Sequence, residues 1–293
     1  MNKRYITIAL TLLSLTGYMQ NVAFANETAL DGATGPANQI SVFDEYEDFM
    51  ICENLEEASV AMDHAKESST LLLKLAENMD GYSLNSSKNE NRPIYSKKIG
   101  NIDIGRLQVT IPSASKYDDV INNIWDYNDK QKLDDTFIIG YLTRVYTPFL
   151  VIMEQGNIYQ TTRTIRKRYA VAAKIKVSND TTVIVCPTRT INFLGAIVKK
   201  TNLIDFFEMT KPIGTDISAE EALARLRSNI AGFIIKHRDD SVEVTYINAI
   251  CEFRNFNNNK RDRDITYTNI LNLAKNMGSN KQQYPPSKYL STL

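Results

Sequence analysis

Gly232-Phe-Ile-Ile-Lys-His237, Arg238-Asp-Asp-Ser241 and Val242-Glu-Val-Thr-Tyr-Ile-Asn-Ala-Ile-Cys-Glu-Phe253 follow one another in this 293-residue chain. The first and third runs are rich in β-branched and aromatic residues and the second is polar and turn-forming, which predicts two antiparallel strands joined by a short connection. Alternation along the second strand sends Val242, Val244, Tyr246, Asn248 and Ile250 to one face and Thr245, Ile247, Ala249, Cys251 and Phe253 to the other. Neither set is wholly polar, so both faces must be at least partly covered. Beyond the strand, Tyr267, Ile270, Leu271, Ala274 and Met277 recur at three- and four-residue steps, with Asp264 placed to cap the start and Gly278 to stop the end. A helix that follows the last strand of a curved antiparallel sheet can bury its apolar stripe only against that sheet, and a strongly bent sheet leaves space beneath it. The expectation is an α+β fold whose C-terminal helix lies as a lid over a cavity, with Ile270 among the residues turned toward it.

Working back from that unit, Leu55, Ala58, Met62, Ala65, Leu72 and Ala76 fall on one side of a helical projection of Glu53–Asn78, with Glu56, Glu57, Lys66 and Glu67 on others; a long N-terminal helix follows, ended by Gly81. Three short strand-like runs come next, Tyr82–Leu84, Pro93–Lys98 and Ile102–Ile111, and form a meander. Ser113 and Ser115 offer caps for a helix with Tyr117, Val120, Ile121, Ile124 and Trp125 as its apolar positions and with Asp118 and Asp119 in its first turn. Thr136–Met153, Arg168–Val177, Thr181–Cys186 and Leu203–Met209 read as strands, and Ser218-Ala-Glu-Glu221 caps a short helix carrying Leu223, Leu226 and Ile230.

At the N-terminus, Met1-Asn-Lys-Arg-Tyr leads into Ile6–Leu15 and then Ala23-Phe-Ala25, the pattern of a secretory signal with an Ala-x-Ala cleavage site. A membrane anchor needs about 20 continuous apolar residues, and this run is interrupted well before that. Cleavage after residue 25 would remove Lys3 and Arg4 and leave 32 basic against 34 acidic residues, a net charge near −2 that argues against nucleic acid as the main partner. Residues 26–51 have no sustained periodicity and read as a flexible tether, and residues 52–293 as one soluble, monomeric domain with 43% apolar residues over the whole chain. Three scattered cysteines, Cys52, Cys186 and Cys251, are too few for a disulfide framework and read as small buried hydrophobes.

Chemistry is sparse. The two histidines, His64 on the polar flank of the first helix and His237 beside a turn, have no evident partner, and a Cys251–His237 dyad lacks any surrounding signature. No phosphate-cradling glycine loop, metal-ligand spacing or paired carboxylate motif is present, so neither a metal nor a cofactor is expected. The basic run Arg163, Arg166, Lys167, Arg168 is either solvated surface or an attractor for an anion. In Pro187–Asn202, Ile191, Phe193, Leu194, Ile197 and Val198 stand in a connection and are followed by Lys199-Lys200. They either pack down on the core or form a gate that meets membrane or ligand, with the lysines toward lipid headgroups.

The order of these elements, Trp125-Asp126 closing the helix after the third strand, and the loop before Asn202-Leu-Ile-Asp-Phe-Phe-Glu together resemble the START lipid-transfer domain. The N-terminal signal, Arg144-Val-Tyr-Thr-Pro148, Ala172-Ala-Lys-Ile-Lys-Val-Ser-Asn-Asp-Thr-Thr-Val-Ile-Val185 and Asp240-Ser-Val-Glu-Val-Thr-Tyr-Ile247 resemble more narrowly the fam-a proteins, secreted and exported START proteins of malaria parasites. The resemblance implies a helix-grip fold, a curved antiparallel sheet around a C-terminal helix with an internal lipid tunnel, gated by Pro187–Asn202. It implies phosphatidylcholine as ligand, its choline in an aromatic cage containing Trp125, with Tyr141 and Tyr146 as companions and Arg106 for the phosphate. Cation–π contact is the physical means of selecting a quaternary ammonium. With Phe193, Leu194, Ile197 and Ile270 these residues make up the expected lipid site. The chain departs from the family where an Arg-Asp pair usually follows the fourth-strand region: Glu154-Gln-Gly-Asn157 stands there instead, and the last helix is shorter than usual.

Three functions compete. The first is a non-enzymatic carrier that makes transient membrane contact, secreted through its signal and exported to the host cell. The second is an exported host-interaction protein with a vestigial tunnel, and the third an enzyme on the same scaffold.

Overall fold

The computed structural model describes residues 50–85, 93–126, 137–159, 164–214, 216–251 and 256–278, with the side chains of 156–159, 164–166 and 256–258 left aside, and puts the opening hairpin at the middle of one antiparallel sheet. The expected signal at 1–25, most of the tether at 26–51 and everything after Gly278 lie outside these residues. Ten strands are described: β1 Ser83–Asn85, β2 Ile94–Ile99, β3 Ile102–Pro112, β4 Tyr141–Thr147, β5 Leu150–Tyr159, β6 Thr164–Ser178, β7 Thr181–Val185, β8 Thr190–Ile191, β9 Ile230–His237 and β10 Ser241–Cys251. They run in the order β1-β2-β3-β10-β9-β7-β6-β5-β4, with β8 on β6. β10 pairs with β3 without interruption from Ser241↔Pro112 to Cys251↔Ile102, and with β9 from Val242↔His237 to Ala249↔Ile230. Register shifts in the β4–β5 and β6–β7 ladders mark bulges, which bend the strands that carry them. Ile51 forms a parallel bridge to Val145 on β4, bringing the last two residues of the expected tether into the sheet.

Five α-helices are described: α1 Leu55–Glu77, α2 Tyr117–Trp125, α3 Ile204–Glu208, α4 Ala219–Leu226 and α5 Phe256–Gly278. The division of β10 read from alternation is the division of the whole core. Val242, Val244 and Tyr246 pack with Leu107, Phe233 and Ile270 under α2 and α5. Ile247, Ala249 and Cys251 pack with Leu72, Ile104 and Val171 under α1. The architecture is a helix-grip, a bent antiparallel sheet with the C-terminal helix laid across one face.

Several local expectations are corrected. α5 begins at Phe256, two turns before Asp264, which is therefore a mid-helix residue and not a cap; the helix spans 23 residues and is not short. Asn257–Asp262 carry no apolar stripe, but once packing fixes the C-terminal turns, each added residue gains a hydrogen bond for little cost, and Arg263 anchors the junction through Asp103 on β3 at 2.8 Å. Leu203–Met209 contains a short helix and no strand, started by Asn202 Oδ1 accepting from the Ile204 amide at 3.0 Å. Ser113 and Ser115 do not cap α2; they hydrogen-bond each other and a 3-10 turn at Ala114–Lys116 intervenes. α1 has the expected bounds within two residues, capped by Asn54, but Leu55 is exposed whereas Glu57 and His64, assigned to its polar flanks, are buried.

Two glycines let helices approach the sheet from opposite sides. A Cβ on Gly232 of β9 would collide with Leu72 of α1 and lie 2.6 Å from the Ile184 carbonyl oxygen; one on Gly105 of β3 would collide with Tyr267 of α5 and lie 2.8 Å from Arg263 Cδ. The Ile184 backbone is fixed by its ladder and cannot yield, whereas the Gly105 neighbours are side-chain ends. Gly232→Ala is therefore expected to cost about 2–3 kcal/mol and Gly105→Ala about 1 kcal/mol, measured as shifts of the urea midpoint at constant m-value; equal shifts would show that the backbone obstruction does not matter.

Candidate functional site

Three arginines bind α1 to the rest of the fold. Arg144 on β4 makes a short, fully buried ion pair with Glu57 Oε1 and donates to the carbonyls of Thr201 at 2.9 Å and Val198 at 2.8 Å. Tyr146 donates to the same Glu57 oxygen at 2.6 Å, and the Leu203 amide donates to the other at 3.0 Å. Burial, then the adjacent carboxylate, pushes the Tyr146 phenol far above its usual range, so it remains a donor. Arg189 donates to Glu67 Oε2 at 3.0 Å, to the His64 carbonyl at 3.2 Å and to the Lys211 carbonyl at 2.7 Å. Arg106 on β3 donates to the Ala76 carbonyl at 2.5 Å, in the last turn of α1 where a cation suits the helix dipole, and to Gln108 at 3.1 Å.

On the other face, between β5, β9, β10 and the first turns of α5, lies a cleft of about 360 Å³. Phe137, Cys186, Ala231 and Tyr246 form its buried floor, and Tyr141, 71% exposed, stands at its mouth with Glu154, Arg168 and Asp262. Tyr246 lies over Phe233 at a centroid distance of 4.7 Å and edge-on to Tyr267 at 5.9 Å, and Phe137 meets Phe233 edge-on at 5.6 Å. Asn248 Nδ2 donates to Tyr246 Oη at 2.8 Å and fixes the ring. Away from the cleft the interface under α5 is filled, Ile270 being fully buried there. At about 360 Å³ the cleft is in the lower part of the size range of small-molecule sites.

The structure therefore regroups the expected ligand residues. Tyr141 is at the cleft. Trp125 is buried in the core beneath α2 and donates Nε1 to the Pro148 carbonyl at 3.0 Å, at the turn between β4 and β5. Tyr141 lies at the far end of the same strand, on the order of 20 Å away at the strand rise per residue, so the two cannot share one cage. Tyr146 and Arg106 belong to the α1 face, because Val145 and Leu107 beside them take the cleft side and alternation sends their neighbours across the sheet. The residues sequence reasoning missed are Phe137 and Tyr246. Tyr246 carried a signal, as the one aromatic residue in the Val242–Ile250 face of β10.

Within Pro187–Asn202, Phe193 is wedged between Tyr169 at 5.8 Å and Phe206 at 4.9 Å, and Ile197 is half-buried beside it, so both pack on the α1 core; Leu194, 82% exposed, and Val198 project outward. The segment holds β8 and is pinned at its far end by Arg144. His237 faces Val242, and Cys251 is nine residues further along β10, on the order of 30 Å away; no dyad forms. Burial pushes the Cys186 thiol up to about 12, far from a thiolate at neutral pH. All three cysteines are free thiols, and among the described residues no cluster of three His, Cys, Asp or Glu could hold a metal ion.

No family model and no curated protein matches the chain. Among solved structures, it is similar to a STAR-related lipid transfer protein from Xanthomonas axonopodis, at 13% identity with a TM-score of 0.38, covering 68% of this chain and 100% of the other. The lipid transfer and protein localization domain of human StarD13 matches at 9% identity and TM-score 0.36, covering 72% of this chain and 95% of its own. Human STARD10 matches at 13% and 0.35, covering 70% and 78%.

Two outcomes follow from the α1 face. Glu57→Leu leaves Arg144 and Tyr146 buried without their acceptor and should cost about 3–5 kcal/mol in urea unfolding, most of it recovered when Arg144→Met and Tyr146→Phe are added; a triple variant as unstable as the single one would mean that the site demands charge. Burial, then the nearby Arg189, holds His64 down at about 3, well below the ordinary histidine value of 6.5. The unfolded chain thus takes up a proton that the folded chain refuses, so this contribution to stability is complete above pH 6.5 and is lost as pH falls toward 3. It amounts to about 1.4 kcal/mol per pH unit. His64→Leu should flatten the acid limb by that slope, and an unchanged limb would show that His64 titrates normally.

Proposed function

We propose that this chain binds one phospholipid, phosphatidylcholine by preference, and carries it between membranes without covalent chemistry. The observation that carries this reading is the cleft between sheet and α5. A quaternary ammonium has no N–H to donate and is best held by aromatic faces with a carboxylate nearby. Phe137, Tyr141 and Tyr246 supply the faces, and Asp262 and Glu154 the negative rim. Of the cage implied by the family resemblance this reading keeps Tyr141 and replaces Trp125 and Tyr146 by Phe137 and Tyr246. Leu194 and Val198, outside a segment that ends in Lys199 and Lys200, supply the membrane contact, and release of the lipid involves movement of that segment or of α5. Secretion through the N-terminal signal, export to the host cell in the manner of the fam-a proteins, and action as a monomer complete the proposal. The filled interface beside the cleft favours one alternative, an exported host-interaction protein whose tunnel is vestigial.

Native mass spectrometry of the protein purified from cells, with vesicle-to-vesicle transfer of labelled phosphatidylcholine, separates the two. One phospholipid per chain is expected, exchangeable with phosphatidylcholine and weakened by Tyr246→Leu through loss of a contact worth about 0.5–2 kcal/mol. Leu194→Asp should slow transfer at unchanged Tm, whereas Phe193→Asp and Trp125→Ala should lower Tm because both residues are packed. Bare protein that neither loads nor exchanges lipid would hand the function to the host-interaction reading.

A further inference from the structure

On the wall of the cleft under α5 a chain of hydrogen bonds runs one way. Asn248 Nδ2 donates to Tyr246 Oη at 2.8 Å, Tyr246 is hydrogen-bonded in turn by Thr266, and Thr266 Oγ1 donates to the Asp262 carbonyl at 2.9 Å. On β5, Gln155 Nε2 donates to the carbonyls of Pro187 at 2.6 Å and Ile139 at 3.4 Å. Both side-chain amides thus donate within the protein, and each keeps its oxygen, Asn248 Oδ1 and Gln155 Oε1, as an acceptor on the cleft wall. Among the described residues no hydrogen bond or ion pair reaches the Asp262 carboxylate. Glu154, the other acid at the mouth, is held by Lys167 at 3.0 Å and by the Tyr169 hydroxyl at 3.3 Å. Partial burial raises the Asp262 carboxyl above the ordinary aspartate range, and Arg261, next to it on the helix, opposes the rise without cancelling it. A carboxylate that loses water without gaining a cation is destabilised until a ligand supplies one.

We propose that the cleft accepts a second class of ligand, molecules headed by a protonated primary amine, held by hydrogen bonds to the Asp262 carboxylate, Asn248 Oδ1 and Gln155 Oε1. Such binding requires that this cleft be the ligand site, as in the reading above, but neither choline selection nor lipid transfer. A primary amine is protonated at neutral pH and carries three N–H donors, one for each of these groups, whereas a quaternary ammonium has none and leaves all three unsatisfied. The Tyr246 ring offers its face to either cation. Polarity reverses where the cleft meets its neighbour. A second cleft, of about 430 Å³, adjoins the first and shares Arg168 and Asn229 with it. Asn229 Oδ1 accepts from the Cys251 amide at 2.9 Å, so that residue presents its Nδ2 donor. Lys167 and Arg227 line only the second cleft, and Arg168 at the joint has an interaction of its own. An ammonium is therefore drawn toward Asp262 and away from the cationic neighbour.

Isothermal titration calorimetry on the full chain, at neutral pH and one ionic strength, would compare ethanolamine, choline and hexylamine. Ethanolamine is expected to bind, and Gln155→Met to weaken it on the order of tenfold more than it weakens choline, because only the amine donates to Gln155. Asp262→Asn should weaken both cations on the order of tenfold without lowering Tm, since no contact within the fold depends on that carboxylate. Hexylamine that binds more tightly than ethanolamine identifies an amine with an apolar tail as the ligand, and equal binding identifies a free small amine; both support the site. A chain that takes up choline and not ethanolamine overturns the amine site and leaves the choline reading standing. Gln155→Met that weakens both cations alike also overturns it, as does Asp262→Asn that weakens neither. Ethanolamine binding by a protein that neither loads nor exchanges phosphatidylcholine supports the amine site and counts against the lipid reading.

Discussion

The Glu57 carboxylate is the constraint on which most of this structure depends. One fully buried acid receives the Arg144 guanidinium, the Tyr146 hydroxyl and the Leu203 amide, and so ties the first turn of α1, the edge strand β4 and the end of the 187–202 segment to one point. Taking a carboxylate and a guanidinium out of water costs several kcal/mol per ion, and their attraction offsets this only when the remaining donors are also satisfied. Here they are: Arg144 spends its other hydrogen bonds on the Val198 and Thr201 carbonyls. The pair therefore contributes position more than net stability. It fixes where the segment carrying Leu194 leaves the core, and Arg189 and Arg106 repeat the device at the middle and end of α1.

The two faces of the sheet consequently do different things. The α1 face is held by buried charges and by packed aliphatic and aromatic residues. The α5 face is aromatic, and its helix is clamped near one end by Arg263 and Asp103, with open space where the first turns of α5 pass over the ends of β5, β9 and β10. Both clefts lie at that end, where strands stop and connections begin, so their walls are drawn from side chains that no ladder requires. This is why one fold can carry an aromatic, acid-rimmed cleft and a basic one side by side, joined at Arg168.

How much of this was legible in the sequence follows from what each signal depends on. The partition of β10 was readable because alternation is a geometric necessity of a strand, and it predicted both cores from one run of eleven residues. α5 was found by its apolar stripe but only from Tyr267 onward, since its first turns have no stripe to detect. Glu57 and His64 run against the sequence reading because charge and polarity ordinarily mark a solvent-facing position. Yet Glu57, Ala61, His64, Ser68 and Leu72 are spaced by three or four residues, in phase with the buried side of α1. Trp125 was placed by matching a residue to a role in similar proteins, and the hydrogen bond to Pro148 shows that the same residue type at the end of the same helix serves the core. The clefts themselves were illegible because they are assembled from residues between 137 and 266 whose proximity exists only after the sheet has formed.

The linear strand order has one more consequence. A sheet that does not close has two edges, and unpaired edge groups are templates along which a second sheet can add. At one end the edge is β1, a strand of three exposed residues, too short to recruit a neighbour effectively. At the other it is β4, where Val145 exchanges hydrogen bonds with Met50 and Cys52, its amide donating at 2.8 Å and its carbonyl accepting at 2.9 Å. The chain thus guards its own vulnerable flank with the residues just ahead of α1. A version trimmed to begin at Glu53 would keep every helix and every fully buried core residue and still be the form most prone to self-association, because protection against aggregation resides in three residues of which Met50 and Cys52 pack only half-buried at the margins of the two cores.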